Sequence, residues 1–274
     1  MRKLYFGILL IVILLLAACS NSSEENTAIE VQTNETATSE EKTLLDEIKE
    51  SGVLKIGTEG TYAPFTFHDD SGELTGYDVE VITEVAKRLG VEPEFHETQW
   101  DAMFTGLDAE RFDVIANQVG INEERLEKYD FSEPYTRSNA VLLIHADNNE
   151  IQSFADIEGK KAAQTLTSNY GQLAESYGAV LEKVEGFNQA IDLVITKRAD
   201  GTFNDKLSAL DFLKKRPDAP IKMIDEAEDV SENAFMFRKG NEELVEEVNR
   251  ILQKMREDGT LKAISEKWFG EDVS

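Results

Sequence analysis

The sequence predicts an α/β protein with two lobes and a cleft between them. Short apolar runs alternate with stretches whose apolar residues recur at helical spacing, which is typical of β-α units. This alternation occurs twice along the chain. Two extended segments, around residues 137–145 and 231–238, join the two sets. Two crossings between lobes indicate a hinge with a cleft beneath it.

The first residues have the pattern of an export signal. Arg2 and Lys3 precede an apolar run at residues 7–16, and Leu-Ala-Ala-Cys closes the segment. The run is too short and wrongly flanked for a membrane span, so we expect a signal peptide at residues 1–18. The ending resembles the bacterial lipobox, which implies cleavage before Cys19 and lipidation of its thiol. The alternative is an ordinary signal in which Cys19 is incidental.

Cys19 is the single cysteine of the chain, so an internal disulfide is excluded. Its position at the end of the signal favours lipidation over packing or catalysis. Residues 19–42 are rich in Ser, Thr, Asn and Glu, and this composition cannot bury enough apolar surface to fold. We therefore expect a lipidated, flexible tether that anchors the protein to a membrane without spanning it.

The formal net charge of −26 argues against two classes of partner. Nucleic-acid binders carry basic faces, and an anionic membrane surface would repel this chain. The sequence has no zinc-ligand spacing and no phosphate-binding glycine loop, so we expect neither a metal nor a cofactor. We expect solvated or packed roles for the three histidines, and a monomer.

The first β-α set follows the tether. Its predicted strands lie at residues 53–59, 92–98 and 112–117, and its predicted helices at 78–90 and 100–111. The first of these helices has Val79, Ile82 and Val85 at helical spacing and stops at Gly90. Strands that alternate with helices predict a parallel sheet.

The second set follows an extended segment at residues 130–146. Its predicted strands lie at residues 160–166, 200–205 and 219–225, and its predicted helices at 168–178, 187–199 and 206–216. Residues 231–240 are extended again, and two helices close the chain. Ligands of open α/β sheets bind beyond the carboxyl ends of strands. We therefore expect a site in the strand-end loops at residues 59–65, 117–125, 165–171 and 203–206.

Arg125 lies in the stretch "NQVGINEER" at residues 117–125. Asn122 is the predicted N-cap of a short helix, and a cation in the first turn opposes the helix macrodipole. The planar guanidinium suits a carboxylate, Gly120 allows close backbone approach, and a helix N-terminus attracts anions. These residues predict a carboxylate site. A surface ion pair with Glu127 or a nearby Asp is the alternative.

Two loops of the second set offer complementary groups. Ser168 is a predicted N-cap, and Thr167 and Asn169 beside it are further donors to the same anion. Capping alone is the alternative for Thr167 and Ser168. Asp205 is predicted first as a helix N-cap and second as an acceptor for a ligand ammonium. Arg125 opposite Asp205 would match an α-amino acid zwitterion.

Three aromatic residues lie near strand ends. Tyr62 and Phe65 flank Pro64 in one loop, and Trp100 opens a helix. Core packing is the default for each of them. The wall of a ligand cleft is the alternative, because such clefts need apolar walls with a few polar anchors.

Four stretches are shared with a known family: "GTYAPFTF", "GYDVEV", "FDVIANQVGINEERLEKYDFSEPY" and "DGTLKAISEKWFG". Through them the chain, from about residue 44 to 273, resembles the amino-acid family of bacterial ABC-transporter solute-binding proteins. The resemblance implies an α/β, two-lobed, periplasmic-binding-protein-like fold with two hinge crossovers and a ligand cleft. Lobe 1 would take residues 43–139 and 235–274, and lobe 2 residues 140–234.

The resemblance also implies function. It implies a lipoprotein on the outer face of the cell membrane that passes an L-amino acid to a permease with its ATPase. It also implies that the protein is not an enzyme. By the family pattern, Arg125 holds the α-carboxylate, Ser168 donates its hydroxyl, Asp205 takes the α-ammonium and Tyr62 covers the ligand. A hinge-closing mechanism follows from the same pattern.

Two positions depart from that pattern. Gln118 and Gly120 lie where many relatives have Ser or Thr, which implies a backbone contact at Gly120. Within the family the chain is most similar to the cystine-binding branch. Cystine is a double amino acid, and Trp100, Asn117 and Asn169 are the candidates for its second polar end. The alternatives are another polar amino acid, an enzyme similar to cyclohexadienyl dehydratase, and a sensor domain, which the lack of a kinase segment disfavours.

Overall fold

The computed structural model describes residues 42–274. The predicted signal peptide, Cys19 and nearly all of the predicted tether lie outside these residues. In chain order the elements are α1 (Leu44–Ser51), β1 (Val53–Thr58), β2 (Thr61–Tyr62), β3 (Thr66–His68), β4 (Leu74–Thr75), α2 (Tyr77–Leu89), β5 (Glu92–Glu97), α3 (Trp100–Asp108), β6 (Val114–Gly120), α4 (Glu123–Lys128), β7 (Tyr129–Phe131), β8 (Thr136–His145), a 3-10 helix (Phe154–Ile157), β9 (Lys161–Gln164), α5 (Asn169–Ser176), β10 (Val180–Lys183), α6 (Phe187–Ile195), β11 (Gly201–Asp205), α7 (Lys206–Lys215), β12 (Ile221–Arg238), α8 (Glu242–Glu257) and α9 (Thr260–Phe269).

A nine-stranded sheet organises these elements, in the order β10-β9-β11-β8-β12-β6-β1-β5, with β7 paired to β12. The first set, β1–β7 with α2–α4, lies at one end, and the second set, β9–β11 with α5–α7, lies at the other. Strands β8 and β12 run between them. A small three-stranded sheet, β2-β3-β4, accompanies the first set. The predicted architecture of two β-α sets joined by two extended crossings is confirmed.

The prediction of a parallel sheet is correct only within each set. Strand β1 pairs in parallel with β5 and β6, and β9 pairs in parallel with β10 and β11. The crossing strands are antiparallel to their neighbours, since β12 pairs antiparallel with β6, β7 and β8. The sheet is therefore mixed, because a strand that links two sets returns against the direction of the strands beside it.

The second crossing is longer than the sequence indicates. Residues 219–225 and 231–240 were expected to be separate extended segments, whereas β12 is one strand of 18 residues. Its register against β8 shifts between Met223 and Asp225 and again between Glu226 and Val230. Such irregularities let a strand continue while its side chains change face. Helices α8 and α9 then return and pack on α2.

The structure contains several elements that were not predicted from the sequence. Thr43 and Asp46 form a capping box at the start of α1, a local pattern that the sequence displays. Strand β6 continues to Gly120, so the first residues of the predicted loop are strand. Strand β10 was also missed, and its exposed Val180 shows why: it is an edge strand with little apolar burial.

Phe112 sets the distance between α3 and the sheet. Its ring fills the space beside two glycines, since a Cβ on Gly57 of β1 would lie 2.5 Å from the ring, and one on Gly106 of α3 would lie 2.7 Å from it. Phe112 is buried. The two glycines therefore let a helix and a strand approach the same ring closely.

We expect Gly106→Ala to lower the free energy of unfolding by about 1–2 kcal/mol, although alanine is the better helix former. The added methyl group overlaps the Phe112 ring, which Gly57 holds from the other side. Urea unfolding measures the change. In the Phe112→Leu background the same substitution should cost less. Equal costs in the two backgrounds would contradict this packing.

Candidate functional site

The strand-end loops of both sets surround one cavity. The space between the loops, including its opening to solvent, is about 580 Å³. Of the residues predicted from the sequence, those that line it are Tyr62, Trp100, Asn117, Gln118, Gly120, Arg125, Ser168 and Asn169. Three predicted residues, Phe65, Thr167 and Asp205, are not part of the lining. The loops meet as predicted, and the three exceptions have structural explanations.

Arg125 is buried, with 7% of its surface exposed. Its Nη1 donates to the carbonyl of Gly120 (2.7 Å) and its Nη2 to the carbonyl of Thr167 (2.9 Å). The guanidinium carbon lies 5.4 Å from the centre of the Trp100 ring and 5.3 Å from that of Phe104. The cation is thus positioned by one carbonyl from each set and by two aromatic rings.

No carboxylate pairs with Arg125 within residues 42–274, so the alternative of a surface ion pair with Glu127 or a nearby Asp is excluded there. Burial lowers the pKa of Arg125 to about 10, which leaves it charged at neutral pH. A buried charge without a counter-ion is costly. An anion placed against the guanidinium would offset this cost.

Asn122 caps α4 as predicted, because its Oδ1 accepts the N–H of Arg125 at 2.8 Å. The helix has only six residues, however. The attraction for an anion therefore comes from the guanidinium, and the helix end adds little.

Gly120 leaves space for a side chain of the second set, and the predicted backbone contact to a ligand stays a prediction. A Cβ there would collide with Nδ2 of Asn169, which reaches across from the second set. The side-chain oxygen of Asn169 in turn accepts from Nδ2 of Asn122 at 3.0 Å. The side-chain amide of Asn169, from the second set, thus occupies the space beside Gly120.

Ser168 caps α5 as predicted and accepts the N–H of Gly171 at 3.0 Å. Thr167 beside it is exposed, and its hydroxyl donates to Asp101 of α3 at 2.8 Å. The Thr167 N–H donates to the same carboxylate at 3.1 Å. The polar groups of Thr167 thus join the two sets at the rim of the cavity.

Asp205 caps α7, the first of its two predicted roles, by accepting the N–H of Leu207 at 2.8 Å. Ser138 of β8 donates to the same carboxylate at 2.9 Å and Tyr170 at 3.2 Å. Burial raises the pKa of Asp205 to about 6. The carboxylate lies behind lining residues such as Asn204, and contact with a ligand ammonium stays a prediction.

The aromatic residues divide into wall and core. Tyr62 lines the cavity and its hydroxyl donates to Asn204 of the second set at 2.8 Å. Phe65 is fully buried, with its ring 5.2 Å from Tyr62 and 5.9 Å from Phe269. Phe65 therefore belongs to the core, the default considered for it, and supports Tyr62 from behind.

Glu59 is a lining residue that the sequence analysis missed. Asn117 Nδ2 donates to its carboxylate at 2.7 Å, and the Glu59 N–H donates to Asn117 Oδ1 at 2.8 Å. Burial raises the pKa of Glu59 to about 7, because an ionised carboxylate is poorly solvated there. Glu59 follows β1 directly, at the carboxyl edge of the sheet, and this position could have identified it as a site residue from the sequence.

Gln118 has an unusual backbone, with φ of 49° in a non-glycine residue. Asp78 at the start of α2 holds this conformation by accepting the N–H of Gln118 at 2.6 Å and its Nε2 at 2.8 Å. Burial raises the pKa of Asp78 to about 7. The strained residue is thereby fixed beside the cavity, with its Oε1 left unpartnered.

Other contacts between the sets lie around the cavity. Asn188 of α6 donates to the carbonyl of Thr61 at 3.0 Å, and Ser208 of α7 donates to that of Ala63 at 2.7 Å. Together with the Tyr62 contact to Asn204, they show the two sets closed on each other. An α/β fold of two sets, closed over a cavity with a buried guanidinium that has no carboxylate partner within residues 42–274, defines a ligand-binding protein.

The chain belongs to the bacterial extracellular solute-binding proteins, family 3, whose model matches residues 54–271. It is 56% identical over 228 residues to the L-cystine-binding protein TcyA of Bacillus subtilis, covering 83% of this chain and 85% of the relative. The L-cystine solute receptor of Neisseria gonorrhoeae, in the unliganded open conformation, is 50% identical with a TM-score of 0.57, covering 85% of this chain and 99% of that one.

An ancestral arginine-binding protein bound to arginine is 35% identical and has the higher TM-score of 0.76, covering 80% of this chain and 98% of that one. The chain is thus more similar in structure to the arginine-bound protein than to the open receptor, although its sequence identity to the arginine-bound protein is lower. This agrees with the contacts between the two sets around the cavity. The predicted family, the two-lobed α/β fold and a binding protein in preference to an enzyme are confirmed. Among the helices of residues 42–274, none has the length and apolarity needed to cross a membrane.

Three buried carboxyl groups should make stability depend on pH. Burial raises the pKa of Glu59 and Asp78 to about 7 and that of Asp205 to about 6. The folded state then binds more protons than the unfolded state between about pH 4 and 7, so the free energy of unfolding should fall as pH rises through this window. Urea unfolding at several pH values measures the slope.

Asp78→Asn should flatten this slope, removing a change on the order of 2–4 kcal/mol across the window, even if it lowers stability at every pH. Asp70→Asn, at an exposed position, is the matched control and should leave the slope unchanged. Parallel slopes for the Asp78 variant and the native protein would show that Asp78 does not cause the effect.

Proposed function

We propose that this protein is the substrate-binding component of an ABC importer and that its ligand is L-cystine. The observation that carries the proposal is the buried, unpaired guanidinium of Arg125 at the cavity. The named relatives support the choice of cystine, since two of them bind it. Another polar amino acid is the alternative ligand.

One amino-acid head of the ligand lies against Arg125. The guanidinium has donors left beyond those that bind the two carbonyls, and two of these donate to the α-carboxylate as a planar pair. Ser168 adds its hydroxyl from the second set. The α-ammonium is placed against acceptors of the cavity, with Asp205 behind them providing negative charge.

The second amino-acid head needs a separate polar subsite. Glu59 and Asn117 form one, with a carboxylate that becomes ionised when a cation approaches. Trp100 and Asn169, the other candidates, also line the cavity. This second subsite distinguishes a double amino acid from a simple one.

Closure of the two lobes is the proposed mechanism. Lobe 1 takes residues 43–139 and 235–274, lobe 2 takes residues 140–234, and β8 and β12 carry the hinge. The ligand binds one lobe first, and the second lobe then adds Ser168 and Asp205. This stabilises the closed state that the permease recognises.

Export and anchoring complete the proposal. The family is extracellular, so the chain is exported. We place a fatty-acylated Cys19 at the outer face of the cell membrane, with residues 20–42 as a tether. The folded part then works as a monomer, within reach of the permease and its ATPase.

Arg125→Ala should weaken cystine binding by about 100-fold or more, because the ligand carboxylate would be buried without its partner. The cystine affinity of Arg125→Lys should lie between those of the native protein and Arg125→Ala, since lysine keeps the charge and loses the planar pair of donors. Titration calorimetry with cystine, cysteine and a panel of amino acids measures both. Arg111→Ala, at an exposed arginine, is the control.

Unchanged cystine affinity in Arg125→Ala would overturn the role of Arg125. If the native protein binds a different amino acid in the panel, the ligand is revised and the class of function stands. If it binds none, the proposed function fails. Turnover of prephenate or arogenate would favour the enzyme alternative.

Cys19→Ala should release the protein from the membrane. With the native sequence, the protein should partition into the detergent phase of a Triton X-114 extraction and carry an acylated Cys19 by mass spectrometry. The variant should appear in the aqueous phase. Aqueous partition of the native protein would exclude the anchor and leave the binding function untouched.

A further inference from the structure

Asn233 lies in the crossing strand β12 and lines the cavity. Only 2% of its surface is exposed. Its Nδ2 is shielded from solvent and has no hydrogen-bond partner in the part of the chain that the structure describes. Buried polar side chains are nearly always paired, so an unpaired amide at a cavity requires an explanation.

Two other amide donors at the same cavity are paired. Gln164 donates to the carbonyl of Phe203 at 3.1 Å, and Asn117 is bonded to Glu59. The cavity therefore offers partners to some amide donors and none to Nδ2 of Asn233. The missing partner of Asn233 is a property of its own position.

The register of the sheet places Asn233 near the carboxylate site. Asn233 is opposite Gly120 on β6 and opposite Thr136 on β8, where the two crossing strands and the first set meet. The carbonyl of Gly120 accepts a hydrogen bond from Arg125. Asn233 and the guanidinium of Arg125 thus flank the same glycine.

Trp100 supplies a second unpaired donor in this region. Its Nε1 is also shielded and unpartnered, and its ring contacts the Arg125 guanidinium at 5.4 Å from the ring centre. These two unpaired donors, together with a guanidinium that has no carboxylate partner within residues 42–274, form a local excess of donors. The group that satisfies them has only acceptor atoms and negative charge, as a carboxylate does.

Gln118 provides the complementary acceptor. Its Oε1 is unpartnered and it lies two residues before Gly120 on β6. Its own Nε2 is already bonded to Asp78, so the free atom of this amide accepts. The free oxygen of Gln118 thus lies near the unpaired donors, and this arrangement suits the ammonium and the carboxylate of one α-amino acid.

We infer that Asn233 is a further specificity-determining residue, whose amide donates to the ligand carboxylate held by Arg125. The inference rests on the proposed function and extends it. The ligand is then held by the first set, by the second set and by a crossing strand between them. A contact to the crossing strand makes binding sensitive to the hinge conformation.

Asn233→Leu, a substitution of similar size, tests this. We expect cystine affinity, or affinity for the amino acid that the native protein binds, to fall about 10- to 50-fold by calorimetry, as for a lost hydrogen bond to a charged group. The ligand-free variant should unfold at the same temperature or higher, because a buried unpaired amide has been removed. Asn233→Asp should bind more weakly still, since its carboxylate would oppose that of the ligand.

Asn139→Leu is the matched control. Asn139 lies on β8, and its amide is paired with the carbonyl of Ala227 at 2.9 Å. This variant should lose stability and keep its affinity. A double-mutant cycle of Asn233→Leu with Arg125→Lys should be non-additive, because both residues act on one carboxylate.

Native affinity in Asn233→Leu, or a fall in stability without a fall in affinity, would overturn the inference while the proposed function stands. Additive losses in the cycle would also overturn it, by separating Asn233 from the carboxylate. Failure of the native protein to bind any amino acid would overturn the proposed function and this inference together.

Discussion

The guanidinium of Arg125 is buried between the two β-α sets and donates to a carbonyl of each, Gly120 and Thr167. Much of the arrangement around the cavity follows from this contact. The charge is buried and has no carboxylate partner within residues 42–274, so its burial costs free energy. A ligand anion removes that cost only while the charge is enclosed. Anion binding and closure of the sets are therefore favourable together.

The rim of the cavity adds specificity to this closure. Asp101 accepts two hydrogen bonds from Thr167 and so positions the carbonyl that Arg125 contacts. The rim contacts are exposed and contribute little stability each. They align the two sets, while the buried groups supply the preference for a filled, closed cavity.

Local chemistry explains which features could be predicted from the sequence. The N-caps Asn122, Ser168 and Asp205 were predictable, because a cap depends on a few neighbouring residues. Apolar spacing likewise predicted the helices other than α1 and the long strands. The course of β12 was not predictable, because its bulges depend on pairing with β8. For the same reason, the unpaired amide of Asn233 could not be predicted from the sequence. Whether a side chain finds a hydrogen-bond partner depends on residues that are distant in the chain.

Gly120 shows how the site couples residues that are far apart in the chain. A Cβ on Gly120 would meet Nδ2 of Asn169, so a larger residue here would require the Asn169 side chain to move. The glycine and the asparagine therefore depend on each other, since the space left by one is occupied by the other. The first set leaves this space open, and the second set fills it with an amide that accepts from Asn122. Because Asn169 belongs to the second set, it lies against Gly120 and Asn122 only while the two sets are closed.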